Sequence, residues 1–375
     1  MTKVKNFICR SNVSKIPNEE RLRLINAIIA LNIKYKYPGN RDDKPFAGEV
    51  TYWFKQDEIH QSTHVHRGPA FLTWHRELCR RFEISLRLVD KKVSLDYWDW
   101  NEDPTNTMDN EGNVLNLFTD AFMGSSSGLA NEPWLTAGFY NPFPDGENYR
   151  GIDPFDIEHI NPADPPIELI RRKEDGTLKN FMERNKVHFY TDEEIIKSTS
   201  YGEMRYKLES VHNWAHNYIG GTIGDPHTSF RDPFVFLIHS NVDRLFAAWQ
   251  QVKGQEYRLD PGRVYEEEAG SVAEGSVSPR IVVGIKTMLS PWCGVGFPYG
   301  PDELTVEGET EEPGVNDVRP WAYPEYEHRK PDLSWDLKPK NSKHKSVVNP
   351  PLYDKLPNVD GLRYNYYKPF KAKKQ

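Results

Sequence analysis

The stretch ESVHNWAHNYIGG, residues 209–221, contains two histidines four positions apart, His212 and His216, just before a pair of glycines. A helix is predicted over residues 202–219, because Gly220 and Gly221 form a typical helix end. Positions i and i+4 share one helix face, so both imidazoles could bind one metal ion. Such a pair also recurs by chance, and its meaning depends on the other histidines of the chain.

A third histidine lies where a core residue is expected. Residues 233–252 are predicted to contain a helix that follows Asp232-Pro233. Its apolar stripe comprises Val235, His239, Val242, Phe246 and Trp249. One interpretation is a buried, hydrogen-bonded histidine. The other is a third ligand, brought to His212 and His216 from a second helix.

The first half of the chain repeats this pattern. A helix predicted from Pro69 to about Leu88 places His75 on an apolar stripe. The other members of that stripe are Phe71, Leu78 and Phe82. His75 is therefore also expected to face inward.

Two further histidines precede this helix. His66 lies just before its start, and His60 ends another helix predicted over residues 48–60. His64 is close enough in sequence to compete with His60 as a ligand. The chain thus contains two predicted clusters of three histidines, each supplied by two segments.

Sites made only of imidazole suit copper, zinc, iron or nickel. Helices that face each other across a bundle core can hold a metal pair. Di-iron bundles do so largely with carboxylate ligands, which argues against iron here because both predicted clusters consist of histidines. No spacing resembles a Cys-rich structural zinc site. The predicted fold is mainly α, a four-helix bundle holding a binuclear metal site. A further helix is predicted over residues 19–34, and residues 101–200 are predicted to be mostly loop.

Composition excludes several functional classes. The 375-residue chain has a formal net charge of −7; without a Lys/Arg block, no nucleic-acid partner is expected. No run of about 18 apolar residues predicts a membrane span. The polar N-terminus lacks the apolar stretch of a signal peptide. Three cysteines make no disulfide framework. A cytoplasmic location and no membrane partner are therefore predicted.

The character of the sequence changes at about residue 300. Ten of the 28 prolines fall in residues 301–375, among aromatic residues such as Trp321 and Tyr364. Two parts are predicted from this change. In this prediction, residues 1–300 form the domain that contains the histidine clusters, and residues 301–375 form a Pro-rich C-terminal extension that packs on that domain.

Four stretches resemble the tyrosinase and polyphenol oxidase family of type 3 binuclear copper proteins. They are HRGPAFLTWHR at residues 66–76, LDYWDW at 95–100, HNWAHNYIGG at 212–221 and DPFVFLIHSNVDR at 232–244. Their order and separations fit the family over roughly residues 8–300.

The resemblance implies two copper ions, with O2 as co-substrate. It implies that His60, His66 and His75 bind the first copper. It also implies that the second copper is bound by three other residues, His212, His216 and His239. Neither a copper-delivery partner nor an oligomeric state is indicated by the sequence.

The activity implied by the resemblance is the oxidation of small phenols. Monophenols would be hydroxylated at the ortho position, and o-diphenols would be oxidised to o-quinones. One alternative is a catechol oxidase or o-aminophenol oxidase without monophenolase activity. Another is an oxygen carrier like a hemocyanin.

The chain departs from the family at three positions. Ile238 replaces the first of two adjacent histidines that often stand at the last ligand, leaving His239 as the ligand by register. Val235 stands where the family usually has Phe. His64 stands where plant and fungal members often carry a Cys bonded to a histidine ring, so no thioether bridge is expected.

Glu209 and Asn213 match the glutamate and asparagine that the family associates with a water removing the proton of monophenols. Glu209 lies closer in sequence to His212 than the matching glutamate does in many relatives. The alternative is that Glu209 is only a structural partner for Arg205. Asp243, one helical turn beyond His239, is a candidate for orienting an imidazole. The alternative is that Asp243 forms an ion pair with Arg244 or another base.

Overall fold

The computed structural model describes residues 9–34, 52–53, 56–57, 60, 66, 71–119, 122–124, 171–226, 228–259 and 350–365. None of the helices in these ranges is both long enough and apolar enough to cross a membrane.

Six α-helices account for most of the regular structure in the described ranges. They are α1 (Asn18–Ile33), α2 (Phe71–Val89), α3 (Leu178–Arg184), α4 (Asp192–Ile196), α5 (Tyr201–Ile219) and α6 (Phe234–Gln251). Strands β1 (Thr107–Met108) and β2 (Val114–Leu115) pair antiparallel. Short 3-10 turns occupy Gly221–Gly224, Ser229–Arg231 and Glu256–Leu259. The mainly α fold predicted from the sequence is confirmed.

The helices predicted from hydrophobic periodicity agree closely with the structure. The predictions over residues 19–34, 202–219 and 233–252 correspond to α1, α5 and α6 within two residues at each end. The prediction over 69–88 corresponds to α2, although residues 69–70 lie outside the described ranges. All five described residues between 52 and 60 are helical, as predicted.

Helix α5 begins and ends at residues whose chemistry fits those places. The Ser200 side chain accepts a hydrogen bond from the backbone N–H of Glu203, which caps the first turn. Gly220 has a φ of 63°, and its N–H donates to the carbonyl of His216 at 2.8 Å. A Cβ at Gly220 would lie 3.0 Å from the backbone oxygen of Arg172. Glycine is therefore required there both by backbone conformation and by space.

Helix α6 is the centre of the bundle, because every one of its residues is buried. Helices α2 and α5 pack against it and against each other, and α1 covers the far side of α2. The helical segment before residue 60 completes the four-helix bundle through Trp53, whose ring lies 5.7 Å from that of Phe82 and 5.9 Å from that of Phe236. A helix buried on all sides holds its side chains in fixed places, which is what a metal ligand such as His239 requires.

Two short helices, α3 and α4, stand among the described residues of the range 101–200, which is predicted to be mostly loop. Helices α3 and α4 are only 7 and 5 residues long, too short to leave a hydrophobic periodicity in the sequence. Each begins with a capping box, Thr177 with Asn180 and Thr191 with Glu194. The Ser/Thr-x-x-Glu/Gln pattern at Thr191 was the signal available to find α4.

A buried charge network ties the two ends of the described chain to the bundle. Arg10 donates to Glu83 at 3.2 Å and to Asp243 at 2.9 Å. It also donates to the hydroxyl of Tyr353 at 3.0 Å, and that hydroxyl donates to the carbonyl of Ser240 at 2.9 Å. The opposite charges lie close together in the interior, which offsets the cost of removing them from water.

Residues 350–365 lie against the helical domain through this network and two isolated bridges. Arg10 pairs with Tyr353 in parallel, and Val252 pairs with Tyr364 in antiparallel fashion. The predicted domain boundary at residue 300, and most of the extension over 301–375, lie outside the described residues.

Candidate metal centre

Six histidine side chains converge in the middle of the bundle as two triads. Within each triad the ligand nitrogens all lie within 4.8 Å of one another. The first triad consists of His60, His66 and His75, and the second consists of His212, His216 and His239. In the described part of the chain, these are the groups of side chains with the spacing of a metal site.

The helices explain why these residues meet. His212 and His216 are one turn apart on α5, and α6 brings His239 to them from the side. His75 lies on the buried face of α2, and His60 belongs to the helical segment that packs across it. Each triad thus depends on at least two segments, so an intact site requires the folded bundle.

The two triads adjoin each other and form one centre. The rings of His75 and His239 stack with their centroids 4.5 Å apart and their planes 8° apart. On the other side of the centre, the rings of His66 and His212 lie 6.2 Å apart. Metal ions held by the two triads would therefore be neighbours, as a binuclear reaction requires.

The second triad already has the spacing of a ligand set. The Nε2 atoms of His212 and His239 lie 3.3 Å apart. Imidazole–metal bonds are about 2.0–2.1 Å long, as in zinc sites, so two nitrogens at this separation can bind one ion between them.

Hydrogen bonds fix which nitrogen is available in three of the six rings. Nδ1 of His75 donates to the carbonyl of Phe71 at 2.8 Å, and Nδ1 of His216 donates to the carbonyl of Ile223 at 2.9 Å. Nδ1 of His212 donates to Oδ1 of Asn213, also at 2.9 Å. In a neutral imidazole the other nitrogen, Nε2, then carries the lone pair. Nε2 of His216 is buried and has no hydrogen-bond partner among the described residues, as expected for a metal ligand.

Burial keeps the rings of the second triad neutral. Burial lowers the pKa of His216 to about 4. The pKa values of His212 and His239 are lowered well below the usual range, first by burial and then by the neighbouring histidines. At neutral pH these rings are unprotonated, which is the form that binds metal.

The donor set fits copper. Both triads consist of imidazole alone, and no described carboxylate belongs to either. Imidazole nitrogen is a suitable ligand for copper and zinc, whereas magnesium, calcium and manganese favour oxygen. The six histidines named from the sequence are the six that the structure brings together. His64, the competitor of His60, lies outside the described residues.

Glu209 and Asn213 have partners of their own. Glu209 is buried and accepts a hydrogen bond from Nη1 of Arg205 at 3.0 Å. Asn213 is exposed, and its amide oxygen binds Nδ1 of His212. The interpretation of Glu209 as a partner for Arg205 therefore agrees with the geometry, and its catalytic role stays a prediction.

Asp243 does not orient His239. Its carboxylate accepts hydrogen bonds from Nη1 of Arg10 and Nε of Arg76. Of the two roles considered for Asp243, orientation of an imidazole or an ion pair, the structure shows the ion pair, and its bases are Arg10 and Arg76. Arg244 instead pairs with Asp192, whose carboxylate lies 3.2 Å from its guanidinium.

Comparisons with known proteins identify the same region of the chain. The family described as the common central domain of tyrosinase matches residues 45–252. A tyrosinase from Streptomyces glaucescens is 26% identical over 293 residues, which cover 76% of this chain and 92% of that protein. Hemocyanin 2 from Megathura crenulata is 25% identical over 251 residues, 66% of this chain. The chain spans only 6% of that hemocyanin's length.

Two further similarities complete the comparison. Grixazone synthase from Streptomyces griseus is 28% identical over 213 residues, which cover 49% of this chain and 66% of that protein. Among solved structures, a polyphenol oxidase from Thermothelomyces thermophila aligns with a TM-score of 0.48 at 20% identity, covering 68% of this chain and 75% of that one.

Proposed function

The chain belongs to the tyrosinase family of binuclear copper proteins, and we propose that it uses two copper ions to oxidise phenols with molecular oxygen. The observation that carries the proposal is the adjacency of two all-imidazole triads, joined by the stacked rings of His75 and His239. Two metal ions in such neighbouring sites can act on one O2 molecule together.

The two triads provide the ligands in this proposal. His60, His66 and His75 hold the first copper. The second copper is held by the other triad, His212, His216 and His239. When bound, the copper pair supplies the redox chemistry that transfers electrons from the phenol to O2.

The protein around the triads fixes the orientation of the ligands. Hydrogen bonds from Nδ1 to Phe71, Asn213 and Ile223 set the tautomer of three rings. Loss of such a partner commonly costs 10–100-fold in metal affinity or activity. Because Asn213 is exposed and binds His212 directly, it connects the surface of the protein to the second copper site.

The finer proposal is that the enzyme hydroxylates monophenols as well as oxidising o-diphenols. A monophenol must lose its hydroxyl proton before it can bind copper, and Glu209 is the proposed acceptor of that proton. Glu209 lies one turn before His212 on α5 and accepts a hydrogen bond from the guanidinium of Arg205. Asn213 is proposed to assist it by holding a water beside the second site.

This proposal is tested by the ratio of monophenol to catechol turnover in a Glu209→Gln variant. A positioned base contributes about 10²–10⁴ in rate, and catechols lose their protons more readily than monophenols. The ratio should therefore fall by at least about tenfold. Oxygen uptake with a monophenol and its matching catechol measures it, and Asn213→Ala is expected to change the ratio in the same direction.

Glu203→Gln is the matched control for this experiment. Glu203 also lies on α5 and pairs with a base four residues on, Lys207, at 2.7 Å, but it is exposed. Its replacement should leave the ratio unchanged. If Glu209→Gln leaves the ratio equal to that of the wild type, Glu209 has no part in the monophenol step.

The second candidate is an oxygen carrier, because hemocyanins are among the relatives. A carrier would bind O2 at the same copper pair and leave phenols unchanged. Mixing the copper-loaded chain with a catechol separates the two functions. Rapid quinone formation supports the oxidase, whereas reversible O2 binding without quinone supports the carrier.

A further inference from the structure

The turn that precedes α6 places an aromatic ring between the two triads. Phe230, in the 3-10 turn Ser229–Arg231, has no exposed surface. Its ring centroid lies 4.1 Å from that of His60, with the two planes 27° apart. The same ring lies 5.1 Å from His239 at a steeper angle of 41°. One side chain thus contacts a histidine of each triad, and it lies closest to and flattest against His60.

Buried ion pairs hold the two residues that follow Phe230. Nε of Arg231 lies 3.5 Å from a carboxylate oxygen of Asp57, which precedes His60 by three residues. Asp232 accepts two hydrogen bonds from Arg171, at 2.6 and 2.7 Å. The turn is therefore anchored through Arg231 to the segment that carries His60.

The contact on His60 differs from the contacts that orient other rings of the centre. His75, His212 and His216 are each held by a hydrogen bond from Nδ1. Against His60, by contrast, an aromatic ring lies across the face of the imidazole. A stacked contact restricts the plane of the imidazole, because rotation of the His60 ring would bring it against the face of Phe230.

We infer that Phe230 is a positioning residue for the first copper site, because its ring fixes the plane of His60. The inference rests on the proposed function, in which His60 is a ligand of the first copper. Since Phe230 contacts His60 more closely than His239, its loss should loosen the first copper more than the second. The effect should appear in metal retention, whether or not turnover is measured.

The test is the rate at which a strong chelator removes copper from the loaded full-length chain. In Phe230→Leu, one of the two coppers should leave at least about tenfold faster than in the wild type, within the range expected when a residue that orients a ligand is lost. The second copper should leave at nearly the wild-type rate. Phe230→Met fills the same space with a flexible side chain and should have the same effect on copper release. It takes the place of Phe230→Leu if the leucine variant folds poorly.

Phe189→Leu is the matched control. Phe189 is a buried ring in the segment between α3 and α4, outside the turn that carries Phe230. Its replacement removes a similar aromatic surface while leaving His60 and Phe230 in place, so both coppers should leave at the wild-type rate.

The outcomes separate this inference from the proposed function. If the wild-type chain cannot hold a copper pair, the proposed function is overturned and the inference with it. If the wild type holds two coppers and Phe230→Leu releases them unchanged, or releases both equally faster, the role of Phe230 at the first site is overturned alone.

Discussion

Replacing His216 by alanine should abolish phenol oxidation. His216 is one of the three proposed nitrogen donors to the second copper, and the carbonyl of Ile223 holds its ring in the tautomer that can bind metal. Removal of a ligand itself should cost more than the 10–100-fold produced by removal of a residue that merely orients one. Catechol turnover, measured by oxygen uptake, should therefore fall by more than about 100-fold, and the copper content should fall toward one ion per chain.

His188→Ala is the control for the histidine change. His188 is exposed and pairs with Glu194 at 2.9 Å on the surface. Its loss should leave both copper content and turnover at wild-type values. A His216→Ala enzyme that kept two coppers and a tenth or more of its turnover would remove His216 from the second site.

Replacing Asp243 by alanine should produce the largest loss of stability. The Asp243 carboxylate accepts hydrogen bonds from Arg10 and Arg76, and all three side chains are buried. Removing one partner of a buried ion pair leaves a charge without compensation and typically costs about 3–5 kcal/mol. The free energy of unfolding, measured by denaturant titration of the metal-free chain, should fall by that amount.

An exposed ion pair provides the comparison. Glu193 pairs with Lys197, which lies one helical turn further along the chain, and both side chains are about half exposed. Such pairs contribute about 0–1 kcal/mol, so Glu193→Ala should change the unfolding free energy little. Equal losses in the two variants would show that the buried network does not stabilise the fold in the way its geometry indicates.

The parts of the site that the sequence could predict are those set by helix geometry. The spacing of His212 and His216 places both on one face of α5, and an apolar stripe directs His239 inward. These relations involve residues within a few turns of one helix, so they leave a pattern in the sequence. That the histidines of different helices form one centre was predicted only from the resemblance to the family.

Contacts between distant parts of the chain left no such pattern. Asp243 had several possible partners in sequence, and only the fold shows that Arg10, 233 positions away, is one of them. Phe230 lies in a three-residue turn without periodicity, so nothing in the sequence connected it to His60. Both relations depend on how helices pack, which hydrophobic spacing alone does not determine.

The most direct test of the account is the copper content of the fully loaded wild-type chain, measured together with its absorption after addition of hydrogen peroxide. Two adjoining imidazole triads predict two copper ions per chain. They also predict an intense near-ultraviolet band on addition of peroxide, which a copper pair shows and an isolated copper does not. One copper per chain at saturation, without that band, would contradict the binuclear centre.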